Sequence, residues 1–185
     1  VVVLGGDGTL TSISHNIDES TPVMGVNSHP VSLDANGSVG FYMDSTLETF
    51  ADDFSAALRG EAIENNLPRL RAIIDSTSGN RYTTDPAMNE LLIANTHQYA
   101  PSKYHLRRGE KNTNQQSSGL IFSTWLGQGA WFSHSLDIAT LNEIRSDIVQ
   151  GQEESHYFVL ARDLNHAQRV EERWSWVDWA DEPTQ

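Results

Sequence analysis

The sequence predicts an α/β region followed by a β-rich one, and three observations carry the prediction. The chain opens on "VVVLGGDGTL", an apolar run of four residues stopped by glycine, which reads as a buried strand entering a tight turn. Thr9 to about Asn16 can form a short helix, and "PVMGVN" at 22–27 is a second apolar strand, so strand, helix and strand follow as in an α/β unit. From Leu67 the texture changes to short apolar or alternating runs parted by turn residues: "LRAIID", "RYTTD", "ELLIAN", "KYHLRRG" and "GLIFST". The boundary therefore falls between an α/β part, residues 1–66, and a β-rich, β-sandwich-like part, residues 67–185.

Between these signals the elements follow in order. Residues 28–44, "SHPVSLDANGSVGFYMD", are rich in turn formers and long enough to be a functional loop. A helix is expected from Ser45, where Ser45 and Glu48 stand three apart as a capping box. Leu47, Phe50, Ala51, Phe54, Ala57 and Leu58 then keep a helical period, and Gly60 supplies a stop. A further helix is expected within residues 130–150 and a strand in "HYFVLAR". Trp174, Trp176 and Trp179 near the end are expected to pack or to form an interface.

Composition narrows the function classes. Twelve basic against 25 acidic side chains give a formal charge of −13, which repels nucleic-acid phosphates and anionic lipid unless a basic patch overrides it. The densest such cluster, Arg107, Arg108 and Lys111, is too small, so neither nucleic acid nor membrane is an expected partner. Cysteine is absent, which excludes disulfides, thiolate catalysis and zinc–cysteine sites. No apolar run approaches the ~20 residues of a membrane span and no leader is visible, so a cytoplasmic location is expected. Val1 stands in mid-strand without an initiator methionine, so residues upstream are expected too.

The chemistry concentrates first in "GGDGT". Gly5, Gly6 and Gly8 permit positive-φ backbone and bring amide N–H groups close to a ligand, which makes an anion cradle. Asp7 within it would repel phosphate. It makes sense as a general base for a hydroxyl or as the holder of a magnesium ion that neutralises both parties.

"GGDGT", then "PVMGVN", then the helix ending in "LRGE", then "MNELLI" and "SSGLIFSTWLGQGAW", resembles in that order the NAD kinase family, closest to its mitochondrial-type members and their bacterial relatives. The resemblance runs from residue 1 to about residue 140. It implies a nucleotide-binding α/β domain, a β-rich dinucleotide-binding domain, an active site between them, and transfer of the γ-phosphoryl of ATP to the 2′-hydroxyl of the adenosine ribose of NAD. It implies magnesium as cofactor and a dimer or tetramer as the assembly.

Carried over by position, the resemblance makes Asp7 the catalytic aspartate that activates the ribose hydroxyl. Gly6, Gly8 and Thr9 would line the nucleotide phosphates, and Asn27 matches the asparagine that follows the second strand. Asn89 and Glu90 match the pair that hydrogen-bonds the dinucleotide; an amide both donates and accepts, and a carboxylate suits a sugar diol. In the third segment Ser118 stands where the family's usual aspartate would, while Ser123, Thr124, Gly127 and Ala130 survive. Trp131 replaces a tyrosine, keeping an aromatic face and losing a hydroxyl. Leu126, Gln128 and Gly129 remove small hydroxyl side chains, which would weaken or reshape dinucleotide affinity, and neutral Ser118 would ease binding of a phosphorylated ligand.

Two alternatives stand beside this reading. One is a kinase of the same "GGDGT" superfamily acting on another hydroxyl, such as a lipid's, against which the glycine-threonine-asparagine-aspartate segment of lipid kinases is missing. The other is a catalytically weak, NAD-binding regulatory relative. Elsewhere the histidines, His97, His105, His134 and His156 among them, show no zinc-binding pairing, so no resident metal site is expected. Ser133, His134 and Ser135 lie too close for a hydrolase triad, and "WLGQGAW" lacks the spacing of a Rossmann fingerprint.

Overall fold

The structure, a computed structural model, describes residues 1–97, 99–108, 110–134, 142, 157–162 and 177–180. The chain divides into two compact units, Val1–Asn66 and Leu67–Gln185. Among the described residues no helix is long and apolar enough to cross a membrane.

In the first unit, β1 (Val2–Gly5) runs parallel to β2 (Met24–Asn27), which runs parallel to the short β3 (Ser45–Thr46). The crossover from β1 to β2 carries α1 (Asp7–Ser14). The opening run is buried on one face only: Val3 is enclosed while Val1, Val2 and Leu4 are exposed. Alternation along a strand sends neighbours to opposite faces, and only Val3 joins the core that Leu10, Val26 and Met43 share. Gly25 is required there, because a Cβ would strike the Met43 sulfur.

The second helix, α2 (Phe50–Leu58), begins five residues later than the sequence predicts. Ser45 and Thr46 are spent on β3, Thr49 is the N-cap and makes no side-chain capping bond, and Thr46 and Thr49 instead bond each other across the turn that precedes the helix. The Thr46 N–H donates to Thr49 Oγ1 at 3.1 Å and the Thr49 N–H to Thr46 Oγ1 at 3.4 Å. Gly60 ends the helix at φ +71°. Its N–H donates to the Ala57 carbonyl at 3.1 Å and the Glu61 N–H to that of Ala56 at 2.9 Å, the paired bonds of a Schellman motif. None of the helix's residues is buried within its unit.

The second unit holds a four-stranded antiparallel sheet in the order β11 (Val177–Ala180), β10 (Tyr157–Arg162), β9 (Gly119–Thr124), β6 (Glu90–Ile93). Two hairpins accompany it, β4 (Ile73–Asp75) with β5 (Arg81–Thr83), and β7 (Ser102–Arg108) with β8 (Lys111–Ser117). The central strands β9 and β10 supply the core: Ile121, Phe158 and Leu160 are enclosed, and Phe132 packs on Phe158 with ring centroids 5.1 Å apart. Phe132 belongs to α3 (Trp131–His134), which falls within the helix expected in 130–150; beyond it only residue 142 of that span is among the described residues. Of the terminal tryptophans only Trp179 falls in a described element, β11, and Trp174, Trp176 and His156 lie outside the described residues.

Candidate functional site

Two groups of candidate residues are gathered, one in each unit. In the first, α1 starts two residues earlier than expected, at Asp7, so the aspartate stands in the first turn of the helix beside its positive pole. The glycines before it are not there for positive φ. Gly6 is extended at φ −119°, and among the described residues the positive-φ glycines are Gly40, Gly60, Gly79 and Gly119. Space is the reason instead: a Cβ on Gly5 would strike the Thr9 side chain, and one on Gly6 would meet Ser38 at 2.8 Å. Gly8 has open space where a Cβ would stand, and Thr9 is exposed beside it. In the first turn the Asp7 N–H donates to Ser38 Oγ at 3.3 Å and the Thr9 N–H to the Gly6 carbonyl at 2.9 Å, while the open space at Gly8 leaves the backbone of the helix start approachable there.

The Asp7 carboxylate is held by the loop that follows β2. Oδ1 accepts the Tyr42 N–H at 2.9 Å; Oδ2 accepts the Gly40 N–H at 3.0 Å and the Ser38 hydroxyl at 3.3 Å. Asn27, paired with Gly5 across the sheet, holds the same loop from the other side. Its Nδ2 donates to the Ser38 carbonyl at 3.1 Å and its Oδ1 accepts the His29 N–H at 3.2 Å. Gly40 at φ +71° allows the sharp turn there, and a side chain on it would run into the Asn27 amide. Closing a loop of this length costs about 3 kcal/mol in chain entropy, while backbone bonds to a charged acceptor contribute roughly 1.5–3 kcal/mol each, so the two amides on Asp7 offset the closure.

In the second unit, the start of β6 and the end of β9 lie side by side, with Glu90 opposite Ser123. Thr124 joins the pieces: its hydroxyl donates to the Met88 carbonyl at 2.6 Å and accepts the Gly127 N–H at 2.9 Å. Its N–H donates to the Asn89 carbonyl at 3.0 Å. The 3-10 turn Leu126–Gly129 folds over this strand end, so close that a Cβ on Gly127 would meet the Asn89 backbone at 2.5 Å. Ala130 then leads into α3.

Glu90 caps that helix. Its Oε1 accepts the Phe132 N–H at 3.0 Å, and the Trp131 N–H also donates to the carboxylate. Burial raises the Glu90 carboxyl above its ordinary range; the Phe132 and Trp131 amides and the charge of His134 oppose the rise. Trp131 itself is 43% exposed. Ser118 is set apart from this group. It lies in the bend before β9, and six residues of strand at about 3.3 Å each place it roughly 20 Å from Thr124.

Sequence reasoning missed Ser38, Gly40 and Tyr42, whose amides and hydroxyl hold Asp7. A turn-rich loop carrying glycine was their one signal. Among the described residues no group of three His, Cys, Asp or Glu side chains is placed to hold a metal ion.

No protein-family model matches the chain. Among curated proteins it is 30% identical to a probable NADH kinase of Oryza sativa, over 70% of this chain and 44% of the relative. It is 35% identical to an NADH kinase of Arabidopsis thaliana over 41% of the chain and 27% of the relative, and 29% identical to an NAD kinase of Delftia acidovorans over 70% and 41%. The chain thus spans less than half the length of each of these relatives. Among solved structures its fold matches a yeast NADH kinase complexed with NADH, with a TM-score of 0.68, 16% identity, and coverage of 89% of this chain and 41% of that one. It also matches an NAD kinase from Archaeoglobus fulgidus in complex with ATP, with a TM-score of 0.62, 16% identity, and coverage of 100% and 69%.

Proposed function

From the premise that the chain is a relative of the NAD and NADH kinases, we propose that it transfers the γ-phosphoryl of ATP to the 2′-hydroxyl of the adenosine ribose of NAD. Asp7 takes the proton of that hydroxyl, the freed oxygen forms a bond to the γ-phosphorus, and the bond from phosphorus to the β–γ bridging oxygen breaks. NADP and ADP leave, and Asp7 returns its proton to water. The observation that carries the proposal is the Asp7 carboxylate itself, set in the first turn of α1 and oriented by three donors.

The remaining residues take binding roles. Gly6, Gly8 and Thr9 receive phosphate oxygens at the start of α1, and Asn27 keeps the adjoining loop in place. Asn89 and Glu90 hold the dinucleotide near Thr124, Gly127 and Ala130, with Trp131 offering a ring for stacking. Ser118 acts apart from them. Magnesium would enter with the nucleotide and neutralise its phosphates, since no resident cluster stands among the described residues. Assembly as a dimer or tetramer is part of the proposal and rests on kinship alone.

The test is NADP formation from NAD, ATP and magnesium by the full-length gene product, with NADH assayed alongside and Asp7→Asn as the control. Positioned acid–base groups contribute about 10²–10⁴-fold, so the variant should lose that much turnover. A folded protein that binds NAD and makes no NADP would overturn the kinase assignment.

A further inference from the structure

The Ser38 hydroxyl has its hydrogen-bonding capacity filled. A serine oxygen accepts two bonds and donates one. Ser38 Oγ accepts the Asp7 N–H at 3.3 Å and the Gly40 N–H at 3.2 Å. Its one proton is therefore left for the remaining neighbour, Asp7 Oδ2, 3.3 Å away. The serine's own backbone is fixed as well, by a donated bond to the His29 carbonyl at 2.8 Å and by Asn27 Nδ2 and the Val31 N–H on its carbonyl at 3.1 and 2.9 Å.

An ionised carboxylate offers about four lone-pair positions. Ser38 and Gly40 fill both on Oδ2, and Tyr42 fills one on Oδ1. Among the described residues one position is left unfilled, and it is on Oδ1. We propose that Ser38 is a positioning residue for Asp7: by holding Oδ2 it turns the free lone pair of Oδ1 outward as the atom that meets the acceptor hydroxyl. The inference rests on the kinase reading for its substrate, while the positioning itself rests on the hydrogen bonds alone. It also explains Gly6, whose missing side chain is the room that Ser38 occupies.

The experiment uses the full-length protein with Ser38→Ala, which removes the hydroxyl and keeps the Cβ, and Ser38→Thr, which keeps a hydroxyl. Ser38→Ala should lose about tenfold in kcat, with KM for NAD within about twofold of wild type, and Ser38→Thr should recover most of the loss. A merely structural serine would lower Tm and disturb both constants together. Wild-type kcat in Ser38→Ala, or equal loss in both variants, would overturn the proposal. The second readout is the carboxyl carbon-13 resonance of Asp7, assigned by its disappearance in Asp7→Asn. It should shift in Ser38→Ala and return in Ser38→Thr; an unmoved resonance would overturn the positioning role. Because this measurement needs no turnover, a wild-type protein that made no NADP would refute the kinase reading and still leave the serine's role decided.

Discussion

Asp7 and Glu90 are carboxylates that sequence patterns single out alike, and each accepts backbone N–H groups from far along the chain, yet the two are built for opposite ends. Asp7 is the guest of its donors: the Ser38–Tyr42 loop closes on it and fixes its orientation. Glu90 is the host, reaching from β6 to end-cap α3 and so to place Trp131 and Phe132. The difference teaches that a carboxylate can be the group held or the group that holds, and that removing it should show differently in each case.

The comparison is broken most forcefully at Gly40. Gly40→Ala puts a side chain at φ +71° and against the Asn27 amide, so about 2–3 kcal/mol of stability should be lost, read by urea denaturation. Wild-type stability there would mean that the loop does not need its observed path. Next in size is Glu90→Ala, which strips the acceptor from two amides and should cost about 1–2 kcal/mol along with weaker NAD binding by calorimetry. Loss of binding with full stability would recast Glu90 as a pure ligand group.

Gly8→Ala sharpens the contrast from the other direction. Nothing lies within 4 Å of its Cβ position, so stability should hold within about 0.5 kcal/mol, or rise, while affinity for ATP falls as the methyl group crowds the helix start.

The smallest effect is the pH dependence of Glu90. The folded chain holds this proton more tightly than the unfolded one, where 4.5 is the ordinary value. Its contribution to stability is therefore complete below about 4.5 and fades as pH rises through the elevated folded value. The Tm of wild type relative to Glu90→Gln should decline over that interval. A relative rise would reverse the assigned direction.

Much of this architecture was legible in the residues. The opening strand and glycine turn, the second parallel strand, the Gly60 stop and the strands in "ELLIAN", "GLIFST" and "HYFVLAR" all follow from local pattern. Strand β8, "KNTNQQS", has no apolar alternation to reveal it; it is a strand because seven residue pairs join it to β7. The helix start moved from Ser45 to Phe50 because pairing with β2 claims both Ser45 and Thr46 and leaves Thr49 as the N-cap, a tertiary choice that a capping pattern does not carry. Asp7 and Glu90 were visible as residues, but their partners were not, since a backbone N–H has no side-chain signature and the bonds span 31 to 42 positions.

That span also has a temporal side. The amides that orient Asp7 lie 33 and 35 residues after it, so at ribosomal rates of about 5–20 residues per second they are made roughly 2–7 s later. During that interval the Asp7 carboxylate lacks the two amides that orient it in the finished fold. The setting of this carboxylate is thus completed only once Tyr42 has been added, on a schedule set by translation, and a pause before Tyr42 would delay it without altering a single contact of the finished fold.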